Sequence, residues 1–307
     1  MFKILITGKG SYVGESIKNY ILSNSTNFQI ETVDTKSDTW MNIDYTKYDV
    51  IYHVAGIAHV NAAYKMKALY YKVNRDLTIE IAKRGKEAGV KQFIFMSSQI
   101  VFHESRSLRS EILTKDSKPN PNGFYGDSKL QAENGLRKLE SPTFKVCILR
   151  PPIIYGPNSK GNFLRLAKLA IKTPLFPAYH NKRSMLYIDN LAEFVKQAII
   201  HHISGTFYPQ NSELSDIVEI VRFFANRAGH KIGIWRILNP CVTIGGKFFQ
   251  SVNKMFATYY YDPQMSKMDF EYQLVSLEES LKIMAKYLHI FKQKDQNKFA
   301  NKKHYDN

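Results

Sequence analysis

Tyr125 and Lys129 lie four residues apart in Tyr125-Gly126-Asp127-Ser128-Lys129, a spacing that places both side chains on one face of a helix. A phenol ionises near pH ~10 and is a poor base at neutral pH, but a neighbouring ammonium favours the phenolate and brings proton transfer within reach. The same spacing also serves ordinary packing beside a solvated amine, so the pair gains meaning from its surroundings. Ser97-Ser98 stand 27 residues before Tyr125, directly after the apolar run Phe93-Ile94-Phe95-Met96. A hydroxyl at the carboxyl end of a buried strand is where a parallel α/β sheet carries its chemistry.

The elements that must position these groups follow from the periodicity. Phe2 to Thr7 predicts a strand, and Val13, Ile17, Ile21 and Leu22 recur at helical spacing after it. Further strands are predicted at Phe28 to Val33, Asp49 to Val54, Lys91 to Met96 and Phe144 to Leu149, with helices from about Tyr64 to Ala88 and Tyr125 to Leu139 and a polar loop at Ser105 to Asn122. Strands alternating with helices predict a doubly wound parallel sheet of Rossmann type. Beyond Arg150-Pro151-Pro152 the alternation weakens, and helices are expected at Asn162 to Ile171, Asp189 to His201, Ser212 to Ala228 and Ser276 to Leu288. The expected organisation is a dinucleotide-binding domain at 1–155, a smaller, mostly helical and mainly substrate-binding part at 156–290, and a flexible polar tail at 291–307.

Thr7-Gly8-Lys9-Gly10-Ser11-Tyr12-Val13-Gly14 joins the first strand to the first helix, the context in which backbone N–H groups at a helix N-terminus hold a pyrophosphate. A strand-to-helix turn that needs glycine only for its dihedrals would read the same way. Asp34 ends the second strand, 20 residues past Gly14, where a carboxylate can accept the ribose hydroxyls of NAD. Lys36 follows and could instead meet the 2′-phosphate of NADP; NAD is slightly favoured. Ala55 and Gly56 supply small residues after the third strand, and Asn74 lies in the next helix.

The order of glycine loop, strand-end serines and Tyr-x-x-x-Lys resembles the extended short-chain dehydrogenases/reductases of the NAD-dependent epimerase/dehydratase family, over roughly residues 1 to 290. Gly8 and Gly14 match the outer glycines of that family's T-G-x-x-G-x-x-G pattern, while Ser11 stands at the middle one and Gly10 lies beside it. The resemblance implies that Ser98 hydrogen-bonds the reacting oxygen, Tyr125 moves the proton, and Lys129 holds the nicotinamide ribose while lowering the Tyr125 pKa. It assigns the dinucleotide to Gly8, Gly10, Ser11, Tyr12, Val13, Gly14, Asp34, Lys36, Ala55, Gly56 and Asn74 together with Tyr125 and Lys129. The family's 4,6-dehydratases carry an Asp-Glu pair after the catalytic hydroxyl residue. Gln99-Ile100 stands there instead, which favours chemistry confined to one carbinol or ketone.

Arg150-Pro151-Pro152-Ile153-Ile154-Tyr155-Gly156-Pro157, Lys160-Gly161-Asn162-Phe163 and Asn181-Lys182-Arg183-Ser184-Met185-Leu186-Tyr187-Ile188 resemble the substrate segments of nucleotide-sugar enzymes, specifically UDP-sugar 4-epimerases and 4-ketoreductases of bacterial surface-polysaccharide synthesis. By that resemblance Arg183 meets the substrate pyrophosphate, Asn162 opens a helix facing a phosphate, Gln99 touches substrate, and Phe176 either lines the uracil pocket or plugs the core between the two parts. The implied activity is a UDP-sugar 4-epimerase acting at C4 of a UDP-hexose or UDP-N-acetylhexosamine. The alternative is a UDP-4-keto-6-deoxy-N-acetylhexosamine 4-reductase. A reading of another class, a non-catalytic dinucleotide-sensing or RNA-binding relative, is opposed by the presence of Ser98, Tyr125 and Lys129 together.

The 307 residues, 44% hydrophobic and 23% charged, are those of a folded protein with room for a sizeable core, and two cysteines are too few for a disulfide framework. The formal charge of +16 is spread over both halves, which favours an anionic partner but not nucleic acid, for which no basic stripe or recognition module is present. No apolar run is long enough to span a bilayer and no secretory signal is visible, so a cytoplasmic location is expected. No metal site is expected, and homodimerisation is left open. The segment Lys231 to Tyr261 mixes Arg236, Lys247 and Lys254 with Trp235, Ile237, Leu238, Phe248, Phe249, Met255 and Phe256. It reads either as a helix on an acidic membrane surface or, preferably, as a segment packed on the substrate part with its lysines solvated.

Overall fold

The computed structural model describes residues 1–58, 64–103 and 107–288. The expected tail at 291–307 and residues 105 and 106 of the expected polar loop lie outside them. The strands are β1 (Phe2–Thr7), β2 (Phe28–Val33), β3 (Val50–His53), β4 (Gln92–Met96), β5 (Glu111–Leu113), β6 (Lys145–Leu149), β7 (Ile153–Tyr155), β8 (Leu175–Pro177), β9 (Met185–Tyr187), β10 (Gly205–Phe207), β11 (Gly233–Trp235) and β12 (Tyr259–Tyr261). The helices are α1 (Tyr12–Asn24), α2 (Lys67–Tyr71), α3 (Leu77–Glu87), α4 (Phe124–Arg137), α5 (Asn162–Ala170), α6 (Ile188–Ile200), α7 (Ile217–Arg227), α8 (Asn239–Phe248) and α9 (Gln250–Phe256). A last helical run covers residues 277–288.

Six strands form one parallel sheet in the order β10-β6-β4-β3-β1-β2. The chain order reverses between β1 and β3, so their carboxyl ends open a crevice. Register aligns Thr7 with Val33 and His53, His53 with Phe95, and Met96 with Leu149. Gly8, Asp34, Val54, Ser97 and Arg150 therefore leave the sheet along one rim. β3 and β4 are buried at every position, as strands covered on both faces require.

The helix expected over 64–88 is one continuous run whose middle, Lys72–Asp76, widens to π geometry between α2 and α3. Such a widening commonly marks a functional position. It holds Asn74.

The part beyond residue 156 does not stand apart from the sheet. β10 adds the sixth strand beside β6, and α6 packs on α1, with the Tyr20 hydroxyl donating to Glu193 Oε2 at 3.0 Å. The Gln92 amide crosses to the carbonyls of Ala198 and Ile203 at 2.9 and 3.0 Å. One apolar cluster runs from Ile4 and Ile17 through Leu186 and Phe194 to Phe224 and Met284. Three small parallel pairs, β7–β9, β8–β11 and β5–β12, lie outside the main sheet.

Candidate active site

The first turn after β1 is held tightly against the loop after β3. Gly8 has φ +94°, and a Cβ on it would stand 3.0 Å from the Ala55 nitrogen, so the position needs glycine both for its dihedral and for its close approach. A Cβ on Gly14 would stand 2.6 Å from Ser11 Oγ. Ser11 caps α1, its hydroxyl accepting from the Gly14 N–H at 3.2 Å. That cap explains serine at the middle position of the glycine pattern. The opening turn of α1 presents the N–H groups and positive dipole end on which phosphate oxygens rest. At the neighbouring strand end, Asp34 Oδ1 accepts from the Lys36 backbone N–H at 2.9 Å while the Lys36 side chain is exposed. The cradle and the carboxylate fit a dinucleotide.

α4 brings Tyr125 and Lys129 to the same rim. Ser98 ends the segment after β4, its Oγ accepting from the Ile100 N–H at 3.3 Å, and its hydroxyl favours the ionised form of the Tyr125 phenol. Burial pushes that phenol up to about 12, Ser98 pulls it down, and Tyr70, whose ring meets the Tyr125 ring edge-on at 6.0 Å, adds to the rise. Lys129 sits one turn further on, its Nζ donating to the Met96 carbonyl at 2.8 Å and lying 4.6 Å from the centroid of the Phe95 ring. Burial lowers its pKa to about 8, against the opposing pull of Glu133. The Lys129 ammonium is turned to the Met96 carbonyl, and burial dominates at the phenol.

Asn74 acts as a clamp. Its Oδ1 accepts from the Ile57 N–H at 2.8 Å, and its Nδ2 donates to the Ile57 carbonyl and to Ser128 Oγ, each at 3.1 Å. The wall formed by Gly56 and Ile57 is thereby fixed to α4, and a Cβ on Gly56 would stand 3.2 Å from the Lys129 Nζ.

Two groups carry the site without having been singled out in the sequence. Glu133 is buried one turn beyond Lys129 and accepts from Ser97 Oγ at 2.6 Å, from Arg150 Nη2 at 2.6 Å and Nε at 3.0 Å, and from Arg137 at 2.9 Å. This ties α4 to the ends of β4 and β6, and the i, i+4 repeat from Tyr125 through Lys129 to Glu133 is the signal that could have revealed it. His53 is buried between Thr7 Oγ1 (2.8 Å from Nδ1) and Thr78 Oγ1 (3.0 Å from Nε2). Thr78 donates its proton to the Asn74 carbonyl, so His53 must donate from Nε2 and accept at Nδ1. Burial, then Lys129, lowers its pKa to about 3 and keeps it neutral.

The substrate-side residues lie elsewhere in the chain. Arg183 is partly buried, its Nη1 donating to the Lys254 carbonyl in α9 while its buried Nε has no partner. Burial lowers its pKa to about 10, leaving it cationic at neutral pH. Phe176 is buried in the core cluster with its ring 5.7 Å from that of Phe256. Asn162 is the exposed first residue of α5. Gln99, next to Ser98, is buried with its Nε2 unpartnered. Backbone bridges from Arg183 to Ser215 and Tyr259 link its segment to β12, and the Tyr261 hydroxyl in β12 donates to the Arg150 carbonyl at 2.9 Å. One short strand thus connects the Arg183 side to the rim that bears Ser97 and Ser98.

A parallel sheet with a dinucleotide cradle at its switch point and a serine–tyrosine–lysine set on its rim defines a short-chain dehydrogenase/reductase of the extended type. The chain belongs to the NAD dependent epimerase/dehydratase family, whose model matches residues 4–208. A UDP-glucose 4-epimerase of Vibrio cholerae is 32% identical over 254 residues, covering 80% of this chain and 76% of the relative. An N-acetyl-alpha-D-glucosaminyl-diphospho-ditrans,octacis-undecaprenol 4-epimerase of Escherichia coli O157:H7 is 29% identical over 195 residues, 61% of this chain and 58% of its own. The fold is shared with UDP-glucuronic acid 4-epimerase from Bacillus cereus, solved with UDP-glucuronic acid and NAD, at a TM-score of 0.71 and 21% identity over 94% of this chain and 99% of that one.

Proposed function

We propose that this protein is an NAD-dependent 4-epimerase of a UDP-hexose or UDP-N-acetylhexosamine, serving surface-polysaccharide precursor synthesis in the cytoplasm. The observation that carries the reading is the placement of Ser98 and Tyr125 on one rim beside the buried Lys129, with Gln99-Ile100 where elimination would need acids. The likeness to the V. cholerae UDP-glucose 4-epimerase supports the substrate class. Gly8, Ser11, Gly14 and Asp34 hold the dinucleotide, with Asp34 on the adenosine ribose, and the bound nicotinamide supplies a hydride acceptor and donor at C4. Tyr125 takes the proton from the C4 hydroxyl as that carbon is oxidised and returns it to the same oxygen when hydride is delivered to the opposite face of the ketone. Ser98 holds the same oxygen by hydrogen bond. Lys129 turns from Met96 toward the ribose, where its charge also favours the phenolate. Arg183 binds the substrate diphosphate, which would partner its buried Nε.

The test is turnover of UDP-glucose and UDP-N-acetylglucosamine by purified protein with catalytic NAD. Formation of the C4 epimer without net NADH production is the expected result. NAD(P)H consumed on a 4-keto sugar, with no epimer formed, would assign the same three residues to a 4-reductase.

A further inference from the structure

α8 is amphipathic in the inverse sense. Its inward side is small: Val242 is its one buried side chain, and a Cβ on Gly246 would stand 2.7 Å from Asn253 Oδ1 and 3.0 Å from Leu108. Large apolar side chains point the other way. Ile237, in the 3₁₀ turn before α8, is 78% exposed, Ile244 57% and Phe248 75%. With the exposed Cys241 they recur at i, i+4, i+7 and i+11, which is one helical stripe. Trp235 and Phe249, at the two ends, are also exposed.

The stripe is held in place. Asn239 Nδ2 donates to the Ala178 carbonyl at 3.0 Å, and Asn253 Nδ2 donates to the Gly246 carbonyl at 2.8 Å. The segment packs in part as expected, with Val242, Phe256 and Tyr261 buried, but on α8 only the glycine-bearing side lies against the protein, because glycine at 246 permits a close approach that larger residues would block.

The sequence on either side of the stripe is rich in cations, and Arg222 is paired with Glu219 just upstream. From Ile220 to Tyr261 the chain contains no Asp or Glu and carries Arg222, Arg227, Lys231, Arg236, Lys247 and Lys254. Arg236 and Lys247 are exposed and fall on the flank of the stripe. A second copy docked through this face would set cations against cations in a protein already at +16. An anionic bilayer meets both features at once, an apolar interior for Ile and Phe and headgroup phosphates for Arg and Lys.

We propose that α8 and the turn before it form a docking surface for an anionic lipid bilayer. The helix lies in the membrane plane with Ile237, Ile244 and Phe248 inserted, Trp235 at the interface, and Arg236 and Lys247 at headgroup level. The same stretch of chain leads into α9, whose Lys254 carbonyl receives Arg183, so docking sets that side of the molecule against the membrane.

The test is co-sedimentation of the full chain with vesicles of phosphatidylcholine alone and of phosphatidylcholine mixed with phosphatidylglycerol. The mixed vesicles should bind it, less so at high salt, and Trp235 emission should shift to the blue while the buried Trp40 stays constant. Ile244→Ser with Phe248→Ser should weaken binding by about tenfold or more, and Arg236→Glu with Lys247→Glu by a similar factor, with unchanged circular dichroism because all four side chains are solvent-facing. No binding to mixed vesicles, or binding unaltered in both variants, overturns the proposal. A wild-type dimer that the Ile244→Ser, Phe248→Ser variant converts to monomer, with no vesicle binding, overturns it in favour of a second copy.

Discussion

The Ser97 hydroxyl donates to Glu133 Oε1 at 2.6 Å, while the hydroxyl of its neighbour Ser98 accepts from the Ile100 N–H at 3.3 Å. Of two adjacent serines at one strand end, only Ser97 is thus tied into the buried ion pair, and the proposed mechanism gives Ser98 to the substrate. Glu133→Gln should leave Arg150 and Arg137 facing a neutral amide in a buried position. Losing one partner of a buried ion pair costs roughly 3 to 5 kcal/mol, read as a lowered urea midpoint. A midpoint within error of wild type would mean that this hub does not hold α4.

On the proposed mechanism Tyr125→Phe removes the proton carrier while keeping the ring that packs on Tyr70. Turnover should fall by about 100- to 10,000-fold, with dinucleotide affinity retained. Near-normal turnover assigns the proton to another group. In the free protein the phenol should titrate toward about 12, above its ordinary 10.0, and NAD binding should bring that value down, visible as phenolate absorbance appearing at lower pH.

His53 sets a pH dependence of stability. Its folded pKa of about 3 lies below the ordinary 6.5, so between those values the unfolded chain binds a proton that the folded chain refuses. Stability from this residue is complete above pH 6.5 and is lost as pH falls toward 3, at about 1.4 kcal/mol per unit. Unfolding free energies of wild type and His53→Gln, measured across that window, should differ in slope by this amount. Parallel slopes contradict the neutral assignment.

Asp34→Ala should weaken NAD more than NADP, because it deletes an acceptor for the ribose hydroxyls together with a repulsion toward the 2′-phosphate. Titration of both cofactors by fluorescence decides it. A wild type that already prefers NADP hands the selectivity to Lys36.

Arg183→Ala should raise KM for the UDP-sugar to the extent expected for a charged hydrogen bond of roughly 1.5 to 3 kcal/mol, with dinucleotide binding nearly unchanged. An equal loss of NAD affinity would place Arg183 outside the substrate site and remove the main support for a diphosphate there.

Local pattern made much of this protein legible. The runs Phe2 to Thr7 and Phe28 to Val33 coincide with β1 and β2: Ile4-Leu5-Ile6 is the unbroken apolar run of a strand covered on both faces, whereas β2, at the sheet edge, alternates Phe28 and Ile30 with the exposed Gln29 and Glu31. Tyr125 and Lys129 were legible as a pair because one helix carries both, so their separation is fixed by helical pitch and not by the fold. What only the tertiary structure decided involves partners distant in the chain. The three-residue strands β5 and β12 pair across 111–113 and 259–261, too short to show a period, and their pairing links the Arg183 segment to the site rim. Glu133, Arg150 and Ser97 form a hub whose charges cancel only when α4, β6 and β4 converge. The outward turn of Ile244 and Phe248 is likewise invisible in the sequence: apolar residues at helical spacing read as core until packing shows that glycine, not phenylalanine, faces the protein.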